Sequence, residues 1–142
     1  MSSTEAPLRD VAILVADDNE DGAELLQLFL ERQGARVQIA GTGRQALEAL
    51  ATFKPEVLLL DITLPDMDGF ELLVAVRALA GFEGIPAIAV TGRSSDRDKA
   101  SVEAAGFALH FVKPFDVHKL GQAIVQVARE PRSGARAPAE GA

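Results

Sequence analysis

At 142 residues the chain has room for one domain with a real hydrophobic core and none for a second folded module. Hydrophobic residues make up 48% and charged residues 25%, the balance of a globular protein, and the formal net charge of −7 withholds the basic surface that nucleic-acid backbones and anionic membranes attract. The absence of cysteine excludes disulfides, thiolate metal sites and cysteine nucleophiles, and it suits a reducing compartment.

In chain order, Met1 to Arg9 lacks the apolar centre of a signal peptide, and no apolar run is long enough to span a bilayer, so a cytoplasmic protein is expected. Val11 to Ala16 (VAILVA) is a short apolar run, the pattern of a strand buried on both faces, and it ends abruptly in Asp17, Asp18, Asn19 and Glu20. From Glu20 to Gln33, Ala23, Leu26 and Leu30 recur at helical spacing, and Gly34 stands where a helix stops. Arg36 to Ala40 alternates like a strand. Gly41 to Ala51 carries Ala46, Leu47 and Leu50 on a helical stripe before Lys54 and Pro55 break it. Val57 to Leu60 is a second buried-strand run closed by Asp61; after Pro65 and Gly69 a helical pattern resumes from Phe70 to Ala80. Ala87 to Val90 ends in Thr91, and Ser95 with Asp98 has capping-box spacing for a helix to about Ala105. Phe107 to Val112 reads as a fifth strand leaving through Lys113 and Pro114, and Asp116 to Ala128 as an amphipathic helix with Val117, Leu120, Ile124 and Val127 on one face. Residues 131–142 are rich in Ala, Pro and Gly, the composition of a disordered tail. The organisation is therefore an extension over 1–9, one domain over 10–129 and a tail over 130–142.

Strict alternation of strand and helix implies an α/β fold: a parallel sheet wrapped on both faces by right-handed crossovers. Ligands of such sheets bind beyond the carboxyl ends of the strands. Those ends carry Asp17 and Asp18, Asp61, Thr91 and Lys113. Three carboxylates brought together repel, which invites a cation, and an all-oxygen ligand set without His or Cys favours Mg²⁺ or Mn²⁺ over zinc. Lys113 then offers a charge and Thr91 a hydroxyl to phosphoryl oxygens, with Asp61 as nucleophile. Taken singly, each group has a plainer alternative: the acidic pair as a solvated loop or helix cap, Asp61 as a turn residue, Thr91 as a structural strand end, Lys113 as a surface residue. The chemical reading requires that they converge.

From about Val11 to Ala128 the chain resembles the receiver domain of bacterial two-component response regulators. The resemblance rests on Asp17 with Asp18 after the first strand, Asp61 followed by Pro65 and Gly69, Thr91, and Lys113 with Pro114, at the separations usual in that family. It implies a flavodoxin-like (CheY-like) doubly wound (βα)5 fold with strand order 2-1-3-4-5. It also implies a phosphoacceptor role for Asp61, helped by Thr91 and Lys113, without turnover of an outside substrate. Metal ligation is implied for Asp18, Asp61 and the Thr63 backbone carbonyl, with Asp17 acting through water, and a cis bond for Lys113–Pro114, against a background of about 5–6% for such bonds. Thr63 and Arg93 occupy the two positions that influence phosphoryl lifetime. The implied partners are a sensor histidine kinase or histidine phosphotransfer protein as donor and an unidentified protein as target, with no nucleic acid and no membrane. Output would run through a face made by the fourth helix, fifth strand and fifth helix.

Two departures stand out. The aromatic switch residue three before the lysine is His110, which can titrate and hydrogen-bond where the usual ring cannot. The acidic residues that DNA-binding members carry just before it are replaced by Ala108 and Leu109, and no helix-turn-helix follows Ala128, so output by protein contacts is expected. His118 is expected to be exposed, and Phe115 with Val117 to pack in the core, with a partner surface as the alternative. A receiver fragment of a hybrid histidine kinase is the alternative. A haloacid-dehalogenase-like phosphohydrolase would need a second aspartate where Thr63 stands, and a flavodoxin-like cofactor binder would need a hydroxyl-rich loop after the first strand.

Overall fold

The apolar runs become the buried centre of one sheet. In β1 (Ala12–Ala16), β3 (Val57–Asp61) and β4 (Ala87–Thr91) every residue is buried, whereas β2 (Arg36–Ala40) and β5 (Leu109–Val112) are the more exposed edges. All four pairings are parallel and the order is β2-β1-β3-β4-β5. The computed structural model of the chain describes residues 6–92 and 96–129, the side chains of 96–98 excepted. The tail expected over 130–142, Arg93 and the Ser95–Asp98 cap lie outside the described residues.

A parallel sheet must be covered on both faces, and the strand residues divide accordingly. Ile13, Val15, Val57, Leu59 and Ile88 face Leu26 and Leu30 of α1 (Glu20–Arg32) and Leu120, Ile124 and Val127 of α5 (Val117–Arg129). Their neighbours Leu14, Leu58, Leu60, Ala87 and Ala89 point the other way, to Ala46 of α2 (Gly43–Ala49), Leu72, Leu73 and Val76 of α3 (Gly69–Arg77) and Val102 of α4 (Asp96–Ala104). Each leucine or isoleucine in these two layers contributes about 2 kcal/mol by leaving water.

Helix starts are set by capping side chains. Asn19 accepts from Gly22 N–H at 2.9 Å, Thr42 from Gln45 N–H at 3.0 Å, and Asp68 forms a reciprocal capping box with Glu71. The fifth strand begins at Leu109 and not at Phe107, because the Phe107 amide donates back to Val102 O to close α4; the first bond to the sheet is Ala108 N–H to Ala87 O, 2.8 Å. Arg77 ties the lower edge together by donating to the carbonyls of Ile85 and Gly106, and burial lowers its pKa.

Ahead of β1, the segment from Ala6 to Asp10 packs onto the end of α1. Leu8 N–H donates to Gln33 O at 2.8 Å, Asp10 N–H to Gly34 O at 3.0 Å, and Leu8 is fully buried. No helix among the described residues is long and apolar enough to cross a membrane.

Candidate functional site

Strand order reverses beside β1: the chain steps out to β2 on one side and returns to β3 on the other, leaving a crevice at their carboxyl ends. Register then aligns the polar residues. Ala16 pairs with Leu60, so Asp17 and Asp61 emerge side by side; Asp61 is level with Val90 and Thr91 with Val112, so Lys113 follows directly. Backbone bonds prolong the sheet past these ends, from Asp17 N–H to Ala40 O (3.0 Å), Ile62 N–H to Val90 O (3.0 Å) and Lys113 N–H to Thr91 O (2.7 Å).

Lys113 bridges two strands. Its ammonium donates to Asp17 Oδ2 at 3.0 Å and to Asp61 Oδ2 at 3.3 Å. Asp61 is 8% exposed, and its other oxygen accepts the Thr63 N–H at 2.9 Å. Burial raises the Asp61 pKa above 3.8, with the nearby Asp17 charge adding to the effect; the Thr63 N–H and Lys113 oppose it without prevailing. Burial pulls Lys113 downward, yet the hydrogen bonds and charges of Asp17 and Asp61 outweigh it and its pKa is raised. Asp61 is thus a carboxylate held at a cost, and Lys113 is firmly an ammonium.

Asp18 lies at the mouth of the crevice, exposed, with no hydrogen-bond partner among the described residues. Asp17, Asp18 and Asp61 each offer an oxygen within 4.8 Å of the others. One ammonium against three carboxylates leaves local negative charge, an oxygen-only pocket that suits a hard divalent cation. Thr91, also 8% exposed, shares a hydrogen bond of 2.9 Å between its Oγ1 and His110 Nε2. The Lys113–Pro114 peptide bond is cis.

The loop after Asp61 folds back tightly: Gly69 N–H donates to Ile62 O at 2.8 Å, and Thr63 forms an antiparallel bridge with Asp68. A Cβ on Gly69 would lie 2.8 Å from the Asp61 carbonyl oxygen and 2.9 Å from Ile62 Cα, so only glycine lets α3 start directly beneath Asp61.

Two features beside the site escape the sequence reading. Asn19 caps α1 while its N–H donates to Asp17 Oδ1 at 2.9 Å, so one loop serves helix and crevice together; an asparagine after an acidic pair was the available signal. An apolar groove of about 300 Å³ runs from Lys113 between α1 and the start of α5, lined by Leu25, Leu26, Phe115 and Val117, and Leu25 is 69% exposed. Phe115 and Val117 are half-buried against the core beneath, and His118 is exposed, its ring edge-on to Phe29.

Residues 13–125 match the family model of the response regulator receiver domain. The chain is 38% identical over 119 residues to an uncharacterized 14.6 kDa protein of the sodA1 3' region in Leptolyngbya boryana, covering 84% of this chain and 91% of that one. It is 35% identical over 126 residues to the KDP operon transcriptional regulatory protein KdpE of Escherichia coli, covering 89% of this chain and 54% of that protein. It likewise spans about half the length of the mycobacterial regulators it matches. The crystal structure of a CheY-like response regulator receiver domain protein from Methanospirillum hungatei superposes with a TM-score of 0.76 at 30% identity, covering 84% of this chain and 94% of that one.

Proposed function

This chain belongs to the response regulator receiver domain family, and we propose that it acts as a phosphoacceptor switch that takes a phosphoryl group onto Asp61. The observation that carries the reading is the crevice itself: three carboxylates within 4.8 Å, one of them buried with a raised pKa and paired to an ammonium from the far strand. In a plain surface cluster the carboxylates would be solvated and Lys113 would not be drawn between two of them.

Asp18, Asp61 and the Thr63 carbonyl would hold Mg²⁺ or Mn²⁺, with Asp17 reaching it through water. When bound, the ion supplies charge that offsets carboxylate repulsion and the negative oxygens of an incoming phosphoryl group. The chain's own residues do the rest. An Asp61 oxygen attacks phosphorus in line; the O–P bond forms as the donor's P–N bond breaks, and the electron pair leaves with the donor imidazole. Lys113 shifts from Asp61 Oδ2 to a phosphoryl oxygen, staying anchored by Asp17. Thr91 turns from His110 to donate to another oxygen, which makes His110 the group that registers the change. Thr63, two residues after Asp61, and Arg93, two residues after Thr91, would govern how long the phosphoryl group survives.

The donor is a histidine kinase or histidine phosphotransfer protein, and the target a protein engaged at the α4–β5–α5 face. There Leu109 is 38% exposed and a recess of about 320 Å³ is lined by Lys99, Val102, Phe107, His110 and Val112. The negative net charge argues against nucleic acid or membrane as the direct target. The domain acts over about residues 10–129, either by itself or as a module of a longer regulator or hybrid kinase, as the match to half of KdpE allows. Incubating the protein with acetyl phosphate and Mg²⁺ should add one phosphoryl group by mass spectrometry, with Asp61→Asn unmodified. An unchanged wild-type mass, or modification that survives Asp61→Asn, would refute the assignment.

A further inference from the structure

The residues that touch the crevice do not explain why Asp66, exposed at the tip of the β3–α3 loop, is clamped to a different element. Its two carboxylate oxygens accept the N–H groups of Gly43 (2.8 Å) and Arg44 (2.9 Å), the first two residues of α2, more than twenty positions earlier in the chain. Both bonds lower its pKa, so the clamp is charge-assisted. Thr42 already caps that helix by accepting from Gln45, hence α2 has a local cap of its own. Beside the clamp, Met67 lies over Gly43 so closely that a Cβ there would overlap its Cγ and Sδ.

The loop is therefore held at both ends. At its root Ile62 N–H donates to Val90 O, and the Thr63–Asp68 bridge closes the neck; at its tip the bonds to another element run through Asp66 alone among the described residues. Thr63 sits in the neck, with its N–H on Asp61 Oδ1. A backbone carbonyl has no rotamer of its own and is aimed only by the loop that carries it. A small divalent cation that demands near-octahedral geometry penalises a loosely aimed ligand.

We infer that Asp66 is a positioning residue for the metal site: by fastening the β3–α3 loop to the first turn of α2, it holds the Thr63 carbonyl where a divalent cation beside Asp61 needs it. The inference rests on the reading of the crevice given above and adds a residue to it that touches neither ion nor phosphoryl group.

Binding of Mn²⁺ alone, followed by electron paramagnetic resonance without phosphodonor, tests it on the whole chain in wild type, Asp66→Ala, Asp66→Asn and Thr42→Ala, with thermal melts of each. Asp66→Ala should bind about tenfold more weakly, the scale expected for removing a group that orients a ligand. Asp66→Asn keeps one of the two acceptor oxygens and turns its amide N–H toward the other donor, so it should fall between wild type and Asp66→Ala. Thr42→Ala loosens the same helix end without touching the loop, and should melt earlier yet bind within about twofold of wild type. Unchanged binding by Asp66→Ala overturns the inference, as does an equal loss in Thr42→Ala, which would mean general destabilisation. A wild-type protein without Mn²⁺ affinity would instead defeat the reading of the crevice and this inference with it.

Discussion

Asp61 concentrates the conflict on which the site depends. Burial, the largest influence, raises its pKa above 3.8, so the folded chain holds this proton more tightly than the unfolded chain does. The carboxylate is therefore neutral in its effect on stability at low pH and becomes a liability as pH rises from about 3.8 through the folded-state value. Asp61→Asn removes the buried charge while Lys113 keeps Asp17 as partner. In the absence of divalent ions at pH 7 the variant should melt a few degrees higher than wild type, on the order of 1 kcal/mol, and the gap should close as pH falls toward 4. Thermal melts across that range check it; a variant that melts below wild type at pH 7 would show that the Thr63 N–H and Lys113 stabilise the carboxylate more than burial penalises it.

At the scale of elements, the site depends on how abruptly a strand can become a helix. Asp68 opens α3 with a capping box, and Gly69 occupies the first turn with the Asp61 carbonyl pressed against it. Gly69→Ala sets two effects against each other: alanine favours helix by up to about 1 kcal/mol, while overlap with main-chain atoms costs about 1–3 kcal/mol because backbone, unlike a flexible side chain, cannot swing aside. Overlap should win. The variant is expected to lose about 1–2 kcal/mol in denaturant titration and to be phosphorylated by acetyl phosphate several-fold more slowly, since the displaced group is the carbonyl of the proposed acceptor, Asp61. A variant as stable and as reactive as wild type would mean the loop has slack that the contacts of 2.8 and 2.9 Å deny.

Over the whole molecule, two apolar layers hold the sheet, and the one beneath α1 and α5 recruits a residue from outside the strand–helix alternation. Leu8 is fully buried in that layer, pinned by bonds of its segment to Gln33 and Gly34. Leu8→Ala should destabilise the domain by about 2–4 kcal/mol, the range for emptying a leucine-sized space in a packed core. Urea unfolding measures it, and a loss below about 0.5 kcal/mol would show that the segment only rests on the domain surface.

Most of this protein was decided locally and is legible in its chain. Uninterrupted apolar runs at 12–16, 57–60 and 87–90 carry the pattern of strands buried on both faces, and the glycines and prolines between them leave helices of the right length to cross over. Because parallel strands all end at the same edge, the identity of Asp17, Asp61, Thr91 and Lys113 as one group also follows from pattern. Tertiary structure decided what pattern cannot carry. That Lys113 reaches Asp17 as well as Asp61, that His110 holds Thr91, that Asp66 bonds to α2, and that Leu8 is core are contacts between residues nineteen to ninety-six positions apart, or burial conferred by a neighbour's end. Periodicity reports which face of an element is apolar; it has no term for the distance between side chains on different elements, and that distance sets pKa, hydrogen bonding and reach.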